Sequence, residues 1–263
     1  RWKLETASGH HDEVDVVSLP ARLVDTTHFF DDIRQGEFGA RYTRGLFDKA
    51  TMEMVGLAQR KEEVVGQRFS NGTTGNDSRL ESQTGETIGR GVVKYRWSET
   101  LSLEAGGEAA FNWLESETRF AQAGVAVRLP AADVRVEETR HEVFAKGTWR
   151  PRPSLTVEAG IRREGSDIAS TGDVALEKSL TFTKPRIALT WAPNDRTQLR
   201  LRFERIVGQL NFRDFVASSS ASTGLLTAGN PDLEPEQAWV SEAAVEPVRV
   251  TVPLIDTLTS VLV

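Results

Sequence analysis

The sequence predicts an all-β protein, an antiparallel transmembrane β-barrel. Three observations predict it. Apolar and polar residues alternate with period two over segments longer than most globular strands. The connections between these segments are alternately short and long. No apolar run approaches the roughly 18 residues that a membrane helix needs. The 263 residues carry 32 Lys and Arg against 38 Asp and Glu, a net charge of −6, and no Cys. Disulfide frameworks, thiolate metal sites and cysteine nucleophiles are thereby excluded. A 39% apolar content suits a soluble protein equally well. A barrel wall, however, shows lipid only every second side chain, so its average also stays polar. Periodicity decides between the two.

The elements follow in chain order. Arg1-Trp2-Lys3-Leu4 opens without an initiator Met, and no basic, apolar and small-residue series marks a signal peptide, so a mature, trimmed or internal start is expected. His10-His11, beside Asp12 and Glu13, reads as a loop surface that binds metal weakly if at all. Hairpins are expected around Gly36–Gly45 and Thr51–Arg60, with a short turn at Phe47–Lys49. The polar stretch Phe69–Glu86 reads as a long loop. Gly91–Trp97 and Leu101–Trp113 alternate in one phase across Ser98-Glu99-Thr100, which makes a tight hairpin.

Val143, Ala145, Gly147 and Trp149 then alternate with Lys146, Thr148 and Arg150, and Pro151–Ser154 makes the turn into Leu155, Val157, Ala159 and Ile161. Glu164–Lys178 reads as a second long loop. Ile187, Leu189 and Trp191 lead through Pro193–Arg196 into Leu199, Leu201 and Phe203. Beyond Arg205 the apolar set moves to Ile206, Leu210 and Phe212, which suggests a bulge. Asp214–Glu234 is the third long loop. Val248–Val263 is too short and interrupted for a membrane helix and reads as one or two strands, or as a piece joined to Val245-Glu246 across missing residues. Trp97, Trp113, Trp149 and Trp191 end the apolar face, as an interfacial girdle does. A soluble sandwich also alternates. Strand length, small residues on the apolar face and the asymmetric connections favour the barrel.

If the apolar positions face lipid, the opposite face points Lys94, Arg96, Glu104, Glu108, Lys146, Glu158, Arg162, Arg200, Arg202 and Glu204 into a lumen. For any single one of them a solvated wall explains the charge. Together they suit a polar lumen that meets an internal domain or a passing solute. No catalytic residue, metal site or cofactor fingerprint stands out, so the chain reads as a non-enzyme. The acidic balance and the lack of a basic aromatic stripe argue against nucleic acid.

One motif is more specific. Asn230, Pro231, Asp232, Leu233, Glu234, Pro235 and Glu236 resemble the Asn-Pro-Asp-Leu-x-Pro-Glu signature of the TonB-dependent outer-membrane receptors. In that family the signature ends an outer loop and leads into a barrel strand, and here it stands between the third long loop and Trp239. Lys184–Pro193 with Thr197–Arg202 resembles the hairpin before the signature, and Gln209–Phe215 the entry into the loop. Pro231 and Pro235 supply no backbone donor and suit a loop edge.

The resemblance implies a barrel of 22 strands around an N-terminal plug. About ten or eleven strands are readable in this sequence, with no plug and no TonB box, so residues 1–263 are expected to be a fragment of the barrel domain. It further implies residence in the outer membrane of a Gram-negative bacterium, with its lipid as a partner. The implied activity is energised uptake of a scarce solute: a siderophore complex, cobalamin or an oligosaccharide. TonB-ExbB-ExbD would act through a plug that this chain lacks. A passive porin, which should lack the signature, and a soluble β-sheet binding module are the alternatives.

Overall fold

Backbone pairing between neighbours in sequence organises almost the whole chain. The computed structural model describes residues 1–18, 24–227, 230 and 232–247. The strands are β1 (Trp2–Ser18), β2 (Val24–Phe47), β3 (Ala50–Ser70), β4 (Gly75–Arg96), β5 (Leu101–Gln122), β6 (Val125–Val127) and β7 (Asp133–Arg152). They continue as β8 (Leu155–Gly172), β9 (Leu176–Asn194), β10 (Thr197–Val207), β11 (Ser218–Ser219), β12 (Leu226–Thr227) and β13 (Gln237–Pro247). One antiparallel sheet runs β1-β2-β3-β4-β5-β7-β8-β9-β10-β13, with β6 paired to β5, and β11 pairs β12 separately. This is the wall of a partial, unclosed β-barrel.

The wall is curled. Leu210, three residues past the end of β10, and Glu5 on β1 line one cavity. Eight strand spacings separate β1 from β10, about 38 Å across a flat sheet. Only a trough brings both to the same space. Its inner face receives the loop between β10 and β13, and its outer face is uncovered by any described residue.

Register fixes the faces. Along β5 the outer positions are Leu101, Leu103, Ala105, Gly107, Ala109, Phe111 and Trp113, paired on β7 with Trp149 through Glu137. Val157, Leu189 and Leu201 lie side by side on the same face. These residues do not point into a closed core. Val143 is 61% exposed and Ile161 52%. From Leu101 to Trp113 the chain rises about 40 Å, or roughly 28 Å along the normal at a 45° tilt, which matches the apolar band of an outer-membrane barrel.

Beyond Trp113 the outer face turns charged while the strands run on. Glu115, Glu117 and Arg119 follow on β5, with Gln83, Glu81 and Arg79 beside them on β4. This explains why the expected long loops Phe69–Glu86 and Glu164–Lys178 are mostly strand. Only Asn71–Thr74 and Asp173–Ala175 connect the strands there. Polar residues on both faces erase the apolar/polar alternation, and the backbone ladder continues without it. For the same reason His10 and His11 lie in β1 and not in a loop. Asn71 Oδ1 accepts the backbone N–H groups of Thr73 and Thr74 at 3.1 and 2.8 Å, closing the β3–β4 turn. Gly172, at φ 97°, closes β8 on β7 where any Cβ would strike the Asp133 carbonyl.

The expected bulge after Arg205 is absent. β10 stays in register with β13 from Thr197↔Pro247 to Val207↔Gln237, and its irregularity lies between Thr197 and Leu199. The apolar set shifts there because the chain leaves the sheet: Leu210 and Phe212 turn inward to a core. Val248–Val263, read above as one or two strands, lies outside the described residues.

Candidate functional site: the inner face and its loop

The inner face has two zones. In its middle, charged side chains pair across strands. Glu108 lies 3.7 Å from Arg90 and 3.6 Å from Arg140. Lys184 Nζ contacts Glu142 at 3.1 Å and Glu164 at 2.5 Å, and Arg162 reaches Glu142 at 3.1 Å. Further along, Glu204 meets Arg186 at 3.4 Å and Arg202 at 3.3 Å. The Phe144 ring lies 5.0 Å from the Arg90 guanidinium and 5.3 Å from that of Arg162.

The ten charged residues singled out from sequence share this face by register. Lys94, Glu104 and Lys146 are aligned across β4, β5 and β7, and Glu158, Ala188 and Arg202 across β8, β9 and β10. Glu104 and Lys146 pair at 3.6 Å. Arg200 pairs with Glu246 at 3.2 Å, and Arg202 also with Glu242 at 2.5 Å. Lys94, Arg96 and Glu158 form no ion pair among the described residues. Sequence reading missed Arg90, Arg140, Glu142, Glu164, Lys184 and Arg186, although all continue the same period-two phase.

Above this charged zone the inner face is apolar and covered. Leu114, Phe120, Val134, Val136 and Ile168 form a core with Phe215, Val216 and Ala217 of the loop. Phe215 sits on a 3₁₀ turn, Phe212–Phe215, that Asn211 caps by accepting the Arg213 N–H at 3.1 Å. Phe215 is wholly buried. Polar bonds fix the loop around it. Thr118 Oγ1 donates to the Ala217 carbonyl at 3.1 Å, and Asn76 Nδ2 to that of Ala221 at 2.9 Å. The Ala221 N–H donates to Gln67 Oε1 at 2.8 Å, and Arg213 pairs with buried Glu63.

The signature residues close the base of this loop. Asn230 N–H donates to the Asp214 carbonyl at 2.7 Å, and its Oδ1 accepts the Asp232 N–H at 3.1 Å. Lys178 Nζ donates to the carbonyls of Asp232 and Leu233 at 3.3 and 3.0 Å and lies 3.7 Å from Glu234. The Glu236 carbonyl accepts the Gly208 N–H at 2.8 Å, just before β13 begins. Pro235 lies between these contacts, and Pro231 lies outside the described residues.

On the outer face, Trp113 lies flat over Gly85, so a Cβ at Gly85 would collide with the indole. The guanidinium groups of Arg60 and Arg135 stand 5.9 and 5.4 Å from the ring, at the upper edge of the apolar band. Near the strand tips Arg68 Nε donates to Asp77 at 2.6 Å. That bond, and then the carboxylate charge, holds the guanidinium above its ordinary pKa. His10 Nδ1 lies 2.6 Å from Asp32, and His28 Nε2 2.5 Å from Asp12. Among the described residues no three His, Asp or Glu side chains are grouped to hold a metal ion.

An antiparallel wall with an apolar outer band and a charged inner face, entered by a folded loop, defines a transmembrane β-barrel wall. Residues 9–252 match the family model described as TonB dependent receptor-like, beta-barrel, and the chain belongs to that family. It is thus part of an outer-membrane receptor barrel of a Gram-negative bacterium. Solved barrels share its fold. The ferric-catecholate import receptor Fiu from K12 E. coli, in its closed form, aligns with TM-score 0.56 at 10% identity, over 84% of this chain and 38% of that one. The unliganded ferric citrate transporter FecA gives 0.56 at 11% identity, over 91% and 40%. BauA, the ferric preacinetobactin receptor from Acinetobacter baumannii, gives 0.55 at 9% identity, over 93% and 44%. The chain therefore spans about two fifths of the length of these receptors. No curated protein matches the sequence.

Proposed function

We propose that residues 1–263 are part of the barrel wall of a receptor that takes up a scarce solute across the outer membrane with energy delivered by TonB-ExbB-ExbD. The carrying observation is the loop between β10 and β13. It folds into the trough, buries Phe215 against the wall, and is tied at its base by the family signature. An outer loop packed inside the lumen narrows a barrel at its mouth, which suits selective capture better than free diffusion.

In this reading the edges β1 and β13 continue into further strands, since an open edge is not tolerated in lipid. A plug fills the lumen, and Lys94, Arg96, Glu104, Glu108, Lys146, Glu158, Arg162, Arg200, Arg202 and Glu204 face it or the solute. TonB pulls on the plug and so opens the path. The process moves a solute and makes no covalent bond. The test is accumulation of solute in cells that express the full receptor, with and without TonB and with the proton gradient collapsed. Accumulation that stops under both treatments is expected. Accumulation that persists in both would make the barrel a passive pore and overturn the reading.

A further inference from the structure

The stem of the inward-folded loop and the wall enclose a cavity of about 460 Å³. That volume lies within the range of small-molecule pockets. Its wall side is built from inner-face positions of successive strands: Glu37 on β2, Gln59 on β3, Glu86 on β4, Asn112 on β5 and Glu138 on β7. Leu210 and Phe212 of the loop supply its apolar side.

The hydrogen-bonding capacity of this lining is lopsided. Gln59 Nε2 donates to Glu86 at 2.7 Å, Asn112 Nδ2 to Glu138 at 3.1 Å, and Ser166 Oγ to the same Glu138 at 2.5 Å. Each bond uses a donor and leaves carboxylate and amide oxygens with lone pairs to fill. Asn112 Oδ1 is out of contact with solvent and accepts no hydrogen bond among the described residues. The inner-face cations that line the cavity are engaged elsewhere: Lys61 and Arg213 both pair with Glu63. Glu37, Glu86 and Glu138 form no ion pair among the described residues. A ligand that completes this site must bring donors.

We infer that the cavity binds the hydroxyl-rich part of an uncharged solute, of the oligosaccharide class, and turns away anionic metal chelates. This rests on the uptake reading given above and narrows it. Sugar hydroxyls donate to the free carboxylate oxygens and accept from the remaining amide N–H groups. Leu210 and Phe212 provide apolar contact for the C–H face of a ring. An anionic chelate offers mainly acceptors, and its charge is repelled by the carboxylates of Glu37, Glu86 and Glu138.

The experiment is equilibrium binding of the full receptor in detergent to a panel of neutral oligosaccharides, to their amine-bearing analogues, and to ferric citrate and a ferric catecholate. Glu86→Gln and Glu138→Gln are tested in parallel, with heat-resistant migration in gels confirming the folded barrel. At least one neutral oligosaccharide should bind, each substitution should weaken it about tenfold, and the chelates should not bind. If E138Q fails to fold through loss of its Ser166 and Asn112 bonds, E86Q carries the test. A panel in which no neutral oligosaccharide binds overturns the inference, as does an amine analogue that binds more weakly than its neutral parent, because the unpaired carboxylates should favour its charge. Energised uptake of a ferric chelate that neither substitution alters also overturns it, while leaving the uptake reading intact. Absence of any energised uptake removes that reading instead.

Discussion

Phe215→Ala should release the inward-folded loop and leave the barrel wall standing. A wholly buried Phe removes about 150–250 Å² from water, about 4–6 kcal/mol at 25 cal/mol per Å². Truncations of this kind cost about 3–5 kcal/mol in practice. The polar bonds that hold the loop contribute about 1 kcal/mol each, so the deletion matches several of them together. The wall, by contrast, keeps every ladder bond from β1 to β10. Hydrogen exchange on the full receptor reads the difference. The Ala217 and Ala221 N–H groups, bonded to the Ala131 carbonyl and to Gln67, should exchange roughly 150- to 5000-fold faster. Amides in the middle of β5 and β7 should not change. Unchanged exchange at Ala217 and Ala221, or an equal rise throughout the wall, would refute the claim that Phe215 anchors the loop.

Other substitutions test other parts of the wall. Val143→Arg, at mid-band on the outer face, should cost about 2–4 kcal/mol, whereas Thr139→Arg near the upper edge should cost about 0–1, both read by denaturant unfolding in lipid vesicles. Lys184→Met leaves Glu164 uncompensated and Glu142 with Arg162 alone, and should destabilise by about 3–5 kcal/mol, with partial recovery when Glu164 is replaced by Gln. Lys178→Met removes two donors from the loop base and should weaken it by about 1–3 kcal/mol, seen as faster proteolytic nicking near Leu225 with the strands intact.

The membrane-spanning part of the wall was legible because lipid on one side and water on the other impose period two. Leu101–Trp113 and Leu155–Ile161 carry that contrast and fall on the expected faces. Above the level of Trp113 β4 carries mostly polar side chains on both faces, so Phe69–Glu86 looks like a loop although its backbone pairs everywhere except at the Asn71–Thr74 turn. Ile206, Leu210 and Phe212 imitate a phase shift because a loop core, rather than lipid, demands them. The charged partners on the inner face were legible in phase but not in pairing. Which of Glu108, Glu142 and Glu164 meets which cation depends on cross-strand register, and that is fixed by turns and not by composition. The cavity was hidden for a similar reason: β1 and the loop after β10 are neighbours only because the sheet curls.

The strands that outrun the apolar band also set a dimension of the molecule. β5 continues nine residues past Trp113 to Gln122, which lifts its tip roughly 20 Å above the lipid boundary at a 45° tilt. The entrance thus stands on a stiff collar, held upright by backbone ladders, instead of on slack tethers. Its height can be altered only in steps of two residues, and in adjoining strands together, because a single insertion would turn every side chain above it to the opposite face. Tall and short versions of this collar would place the point of first capture at different distances from the cell surface while leaving the membrane-embedded wall unchanged.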